Sequence, residues 1–338
     1  MKNLFPIVAI VALSVASCTT DFELYSYDET VVVYAILDTE ADTNYFKITK
    51  SFLGNALELA QDYEISNYDY DEIDVKFIGC FDNATQPDTI QLDTISLYVP
   101  YNENSMFYSG MRQLYYYTDR KLQSGKTYKI VINRKSDGAT IWAQTTTTNS
   151  VVFIRPYSNR VINLRSRHDS VTWFVNDPAN NYHTTAAYFD VTGIFHYREL
   201  LPGSTDTVSR SIEWNIQSDI PTNLYIANGS YQIYYSPIDF FNFLGNNKYL
   251  RENSQFGVQR WIDKFEFRIS SIGEELYACH LSNIGTSINI DVFDYSNIVN
   301  GRGLMSSRAA KRSFHNLDQV TRYRITQDYD YGFIYEPN

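Results

Sequence analysis

The residues able to do chemistry are few and dispersed. His168, His183, His196, His280 and His315 lie far apart, with no pair at a metal-ligand spacing on one element. The chain contains no GxSxG elbow, HExxH helix, phosphate-binding loop or EF-hand spacing. Gly301-Arg302-Gly303 lacks the third glycine of a dinucleotide loop and follows no βαβ pattern, so it reads as a turn. These observations predict a protein that is not an enzyme and carries no cofactor or metal. One acidic stretch, "QDYEISNYDYDEID", brings Asp62, Glu64, Asp69, Asp71, Glu72 and Asp74 close in sequence. It holds enough oxygen ligands for Ca²⁺ if the loop folds back on itself. Without the glycine-punctuated order of a calcium loop, a solvated acidic loop is the better reading.

Tyrosine offers a different chemistry. In "LYVPYNENSMFYS", Tyr98, Tyr101 and Tyr108 flank Pro100 and a polar turn, which places them at a loop tip. A tyrosine ring gives an apolar face and a hydroxyl at small entropy cost, which suits stacking on a glycan or peptide ligand. Tyrosines that merely coat sheet surfaces would leave the same pattern.

Positioning such residues falls to strands. The chain has 29 Tyr, 20 Phe and 4 Trp, interleaved with Thr, Val and Ile, a composition that fits pleated sheets. "VVVYAIL" and "NYFKITKSF" read as a hairpin, and further strands are expected at Asp74–Cys80, Thr89–Val99 and Tyr108–Tyr117. Weak helical spacing marks Gly54–Ile65. In "LQSGKTYKIVINRKSDGATIWAQTTT", Tyr128, Ile130 and Ile132 face one way and Ile141 and Ala143 return on a matching face after Asp137-Gly138. Leu122, Gly125 and Tyr128 resemble the tyrosine corner of fibronectin type III and immunoglobulin-like sandwiches. The polar run "TTTTNS" marks a boundary. Residues 28–149 are therefore expected to form a β-sandwich, and 150–338 a β-rich domain with two short helices. One helix starts at Ser236-Pro237, with Ile238, Phe241 and Leu244 as its apolar edge, and the other starts at Gly273. Tyr323–Tyr335 is expected to be a final strand.

The N-terminus gives an address. After Lys2, an apolar run from Leu4 to Val15 is too short to span a bilayer and has the length of a secretory signal core. Val15-Ala16-Ser17-Cys18 resembles the lipobox of bacterial lipoproteins. That resemblance implies cleavage after residue 17, lipidation of Cys18 and a linker over 18–27. The acyl chains then supply the membrane anchor, at about 0.8 kcal/mol per buried methylene. Thr19 is not the Asp that retains lipoproteins at the inner membrane, so the expectation is the outer membrane, on either its surface or its periplasmic side. With 28 Lys+Arg against 39 Asp+Glu, the chain is too acidic to be a nucleic-acid binder. Cys80 and Cys279 have no zinc or CxxC spacing; they form a disulfide or, the preferred reading, remain two buried thiols.

The lipobox, "VVVYAILDTEADTNYFKITKSFLG", the immunoglobulin-like hairpin and "YSNIVNGRGLMSS" together resemble an uncharacterised family of Bacteroidota lipoproteins. The late segment departs from the family's Gly-Gly and Phe pattern. Genes of that family commonly sit beside TonB-dependent receptors, which implies an accessory or ligand-binding role with such a receptor as partner. The alternative is a structural or adhesive envelope protein with no small-molecule ligand. Four Asp-Ser/Thr-apolar triplets, centred on Thr89, Thr94, Ser170 and Thr207, match the O-glycosylation pattern of Bacteroidota envelope proteins and also mark places where strands begin.

Overall fold

Alternation of apolar and polar residues becomes strand wherever one face can be buried. In the computed structural model this begins with β1 (Val31–Leu37) and β2 (Asn44–Lys50), whose Val33, Leu37, Phe46 and Ile48 are fully buried. The structure describes residues 29–51, 66–69, 71–99, 111–164, 169–176, 183–224, 226, 229–254, 257–285 and 295–336. The helical turns expected at 54–65 fall outside them.

Among the described residues six further strands belong to the first unit: β3 (Ile73–Gly79), β4 (Asp88–Gln91), β5 (Asp93–Val99), β6 (Met111–Thr118), β7 (Thr127–Arg134) and β8 (Thr140–Thr146). The single strand expected over Thr89–Val99 is two. The chain breaks at Leu92, which is buried, and passes from one sheet to the other. One sheet runs β1-β2-β6-β5 and the other β4-β3-β7-β8. Phe46 from the first sheet meets Phe77 from the second, with ring centroids 4.9 Å apart. The order corresponds to strands A-B-E-D against C′-C-F-G, which is the immunoglobulin/fibronectin-like sandwich.

Tyr128, at the start of the sixth strand by that lettering (β7), pins the corner. Its ring is fully buried, its hydroxyl accepts from the Gln123 amide at 2.7 Å, and it donates to the Cys80 carbonyl. Gln123 lies five residues upstream, as a tyrosine corner requires. Tyr128→Phe should therefore cost about 1–3 kcal/mol, because both backbone groups lose a buried partner. An unaltered midpoint in chemical denaturation would show that the two bonds contribute nothing.

The second unit is also two layers. A sheet of β13 (Ser230–Tyr235), β10 (Asp169–Val175) and β9 (Val151–Arg155) faces β12 (Thr207–Pro221), β11 (Tyr188–Leu200), β14 (Gln259–Ile272) and β15 (Arg302–His315). Aromatic rings fill the space between them: Trp173 packs edge-on to Phe189 at 5.7 Å, and Tyr235 lies 5.6 Å from Phe267. Helix α1 (Pro237–Gly245) starts where Ser236-Pro237 placed it, although Ser236 makes no side-chain cap. Its buried edge is Pro237, Phe240, Phe241 and Leu244, so Phe241 and Leu244 lie where they were expected, while Ile238 points outward at 51% exposure and Phe240 takes its place.

Helix α3 (Glu274–Gly285) follows Gly273 as expected. Two further helices, α2 (Lys248–Ser254) and α4 (Gln319–Asp328), were not foreseen. The strand expected over Tyr323–Tyr335 reduces to β16 (Phe333–Ile334), because Asp318 caps α4 by accepting from the Thr321 amide at 3.0 Å. Burial of Thr321, Arg322 and Ile325 then holds a helix whose composition favours strand.

The two units share a strand. β15 pairs parallel with β1 along Arg302–Ser307 and antiparallel with β14 along Arg308–His315. It leaves one sheet and enters the other without a turn, so a single sheet, of nine strands among the described residues, spans both units. The polar run at 145–150 lies inside this junction: Thr147, Thr148, Asn149 and Ser150 are all buried. The Thr148 amide donates to Ser307 Oγ at 2.9 Å, and the Thr185 amide to Asn149 Oδ1 at 2.9 Å. Each unit keeps its own apolar core, and Ile298 and Met305 join the first.

Candidate functional site

A groove opens where the β1–β2 turn meets the neighbouring sheet. It has a volume of about 780 Å³ and takes its walls from that turn and from β11, β12, β14 and β15. Its floor is made of small residues: Ser270 on β14 pairs directly with Asp190 on one side and Ala310 on the other. The next row along the strands is Thr192, Arg268 and Arg312, and the row on the other side of the floor ends in Arg308, opposite Ile272. Strand alternation puts these residues on one face, because they are two apart along each strand. At this wall the β11–β12 register slips twice between Phe189 and Thr192, and such bulges bend a strand and re-aim its side chains.

The groove is strongly charged and nearly balanced. Arg268 Nη2 bonds to Glu213 at 2.8 Å, and Lys311 Nζ to Glu40 at 3.1 Å. Arg312 Nε lies 3.5 Å from Glu266, a buried carboxylate whose other oxygen is 2.8 Å from His196 Nε2. Arg268 and Arg312 stand directly opposite one another across the strand pair. Like charges in that position oppose strand pairing, so the arrangement is not there to hold the sheet together.

Burial pushes the Asp38 carboxyl up, and the Glu40 amide and the nearby Arg308 draw it only partly back. Asp190 is likewise raised, by burial first; the Asp219 amide lowers it and the Asp219 carboxylate adds to the rise. The site can therefore offer guanidinium donors and carboxylate or hydroxyl acceptors to a polar ligand.

A second cavity, of about 710 Å³, lies on the crossover between the units and is lined by polar groups including Ser124, Asn149 and Thr185. On the first sheet, Tyr45 stands opposite Tyr117, and the Tyr115 ring is 6.1 Å from Tyr45. Beside them Lys47 donates to Gln113 Oε1 at 2.7 Å, and burial lowers its amine to about 8. These tyrosines do lie on a sheet face.

The residues singled out from sequence do not converge. Cys18, Tyr101 and Tyr108 lie outside the described residues. Tyr98 is 60% exposed on β5, an edge strand. Thr89, Thr94 and Thr207 are exposed, each on an edge strand, whereas Ser170 is buried on the central strand β10.

Of the acidic stretch, Asp69, Asp71, Glu72 and Asp74 are described. Glu72 accepts from the Asp69 amide at 2.8 Å and pairs with Lys50 at 3.4 Å. Among the described residues no group of three or more His, Cys, Asp or Glu is arranged to hold a metal ion. Cys80 and Cys279 are both buried thiols that are not joined to each other. The groove arginines were not foreseen; the only local signal was the alternation Arg308, Ala310, Arg312 within one strand.

No family model matches the chain, and no curated protein matches it. Among solved structures, the crystal structure of chicken CNTN1 FN1–FN3 domains is similar at a TM-score of 0.22 and 8% identity. The match covers 85% of this chain and 67% of that one. A likeness so low carries no argument about function.

Proposed function

We propose that this protein is an outer-membrane lipoprotein, anchored through Cys18, that serves as a non-catalytic ligand-binding module accessory to a TonB-dependent transporter. The observation that carries the binding role is the groove itself. It is built from both units, and the shared strand β15 and the buried seam at 147–150 fix their relative position. Ligand sites occur preferentially at such unit junctions, and a preformed one spares the ligand the cost of ordering it. The residues from Val15 to Cys18 support the anchor. No helix among the described residues is long and apolar enough to cross a membrane.

Replacing Cys18 with Ala should leave the precursor uncut by the lipoprotein peptidase and move the protein out of the outer-membrane fraction. The wild-type protein should co-purify with a TonB-dependent transporter of the same outer membrane. Unchanged processing and fractionation of the variant would refute the anchor. Failure to co-purify would remove the transporter from the reading.

A further inference from the structure

The groove's charges are arranged by position as well as number. Guanidiniums stand at both ends of the small-residue floor, Arg268 and Arg312 at one and Arg308 at the other, with Ala310 between the two β15 arginines. The span from Arg308 to Arg312 is about 13 Å along the strand. Between these ends the floor offers the Ser270 hydroxyl and the Asp190 carboxylate, which can accept from ligand hydroxyls. Glu213 and Glu40 are already engaged by Arg268 and Lys311. The side chain of Arg312 remains 57% exposed beside its buried partner, and Arg308 is exposed.

Resting on the binding role proposed above, we infer that the groove takes a sugar acid: an oligosaccharide whose carboxylates meet the arginines at each end of the floor and whose ring hydroxyls meet Ser270 and Asp190. Bidentate pairing with carboxylates is the geometry guanidinium groups favour. A densely sulfated or phosphorylated chain would bring more negative charge than the three guanidiniums can pair, and it would meet the Asp38 and Asp190 carboxylates, whose repulsion opposes it. An extended peptide would lack its usual foothold. β14 is paired on one side with β11 and on the other with β15, so the floor presents side chains and no open backbone edge.

The test is calorimetric titration of the full mature chain with trigalacturonate and triglucuronate, with galactotriose as the neutral control. At least one acidic trisaccharide should bind, and the neutral one should bind at least about tenfold more weakly. Arg308→Gln should weaken the acidic ligand by about tenfold or more, since it removes a charge-assisted bond. Ala310→Leu, which fills the floor without changing charge, should weaken it comparably. Because Arg312 also contacts the buried Glu266, the exposed Arg308 and the neutral Ala310 are the informative positions. Binding of neither acidic trisaccharide, equal binding of galactotriose, or wild-type affinity in both variants would overturn the assignment. A neutral ligand that binds indifferently to these variants would overturn the sugar-acid class and leave the binding module standing. The anchor and partnership fail or survive separately, on fractionation and co-purification.

Discussion

Replacing Arg260 with Met should cost about 3–5 kcal/mol of folding stability. Arg260 and Glu199 are both fully buried in the second unit. Arg260 Nε donates to Glu199 Oε2 at 2.9 Å, and its Nη2 lies 2.9 Å from the same oxygen, at an angle that makes it an ion-pair contact and not a second hydrogen bond. The other carboxylate oxygen accepts from Tyr249 at 2.7 Å and from Arg210 at 3.2 Å, and Arg260 also donates to the Tyr331 carbonyl. Removing the guanidinium leaves a carboxylate inside an apolar core with part of its shell gone, and the cost is mostly that stranded charge. The double variant Glu199→Met, Arg260→Met should recover most of the loss, since a buried pair is often worth little more than a well-packed apolar replacement.

Burial by itself would raise the Glu199 carboxyl, but the bonds from Tyr249 and Arg260 outweigh it and hold the group below its ordinary value of 4.5. Its contribution is thus present above that value and drains away as pH falls through the lower folded value. Wild type should lose stability on acidification more steeply than the double variant. A loss below about 1 kcal/mol in Arg260→Met would mean that water reaches the carboxylate.

What could be read from the sequence was whatever is local. Tyr128 and Gln123 are five residues apart, so the corner is visible in one short segment. Alternation in Val31–Leu37 and in Thr127–Arg134 names the buried face without knowledge of the partner. The start of α1 follows from Ser236-Pro237, which fixes the backbone whatever packs against it. Two residues of its buried edge, Phe241 and Leu244, are legible as well, but Ile238 and Phe240 are both apolar, and only the surrounding layer decides which of them is buried. Helix α4 was hidden for a related reason. Its Thr, Tyr and Ile favour strands, and the interaction that decides the matter is a cap from Asp318 together with burial against the second core.

The groove was out of reach for a stronger reason. Arg268 and Arg312 become neighbours only once β14 pairs with β15, and Asp38 reaches them only once β1 pairs with β15. No spacing along the chain encodes either event. Likewise "TTTTNS" has the composition of a loop, and its burial depends on Ser307 and Thr185 arriving from elsewhere to satisfy its backbone.

That dependence makes Gly303→Ala the sharpest test of the architecture. Gly303 was expected in a turn, yet it sits in β15 directly paired with Val33, at a φ of 113° that L side chains rarely adopt. A Cβ there would fall 2.0 Å from the Val33 carbonyl oxygen, and that oxygen belongs to the backbone of a core strand, so nothing flexible can yield. Strain and collision together should cost at least about 3 kcal/mol. Gly138 provides the control. Its φ is 75°, but an added Cβ meets nothing within 4 Å, so Gly138→Ala carries the conformational strain alone and should lose only about 1 kcal/mol. The excess at Gly303 measures the β1–β15 contact itself. If β15 is the element that holds the units together, hydrogen exchange in Gly303→Ala should rise first along Val31–Leu37 and Arg302–Ser307, ahead of β10 and β11. The groove should weaken with it, because Asp38 and Glu40 reach that site only from the end of β1. Equal losses at Gly303 and Gly138 would show that the parallel pairing adds no stability, and the fixed groove would then need another source of rigidity.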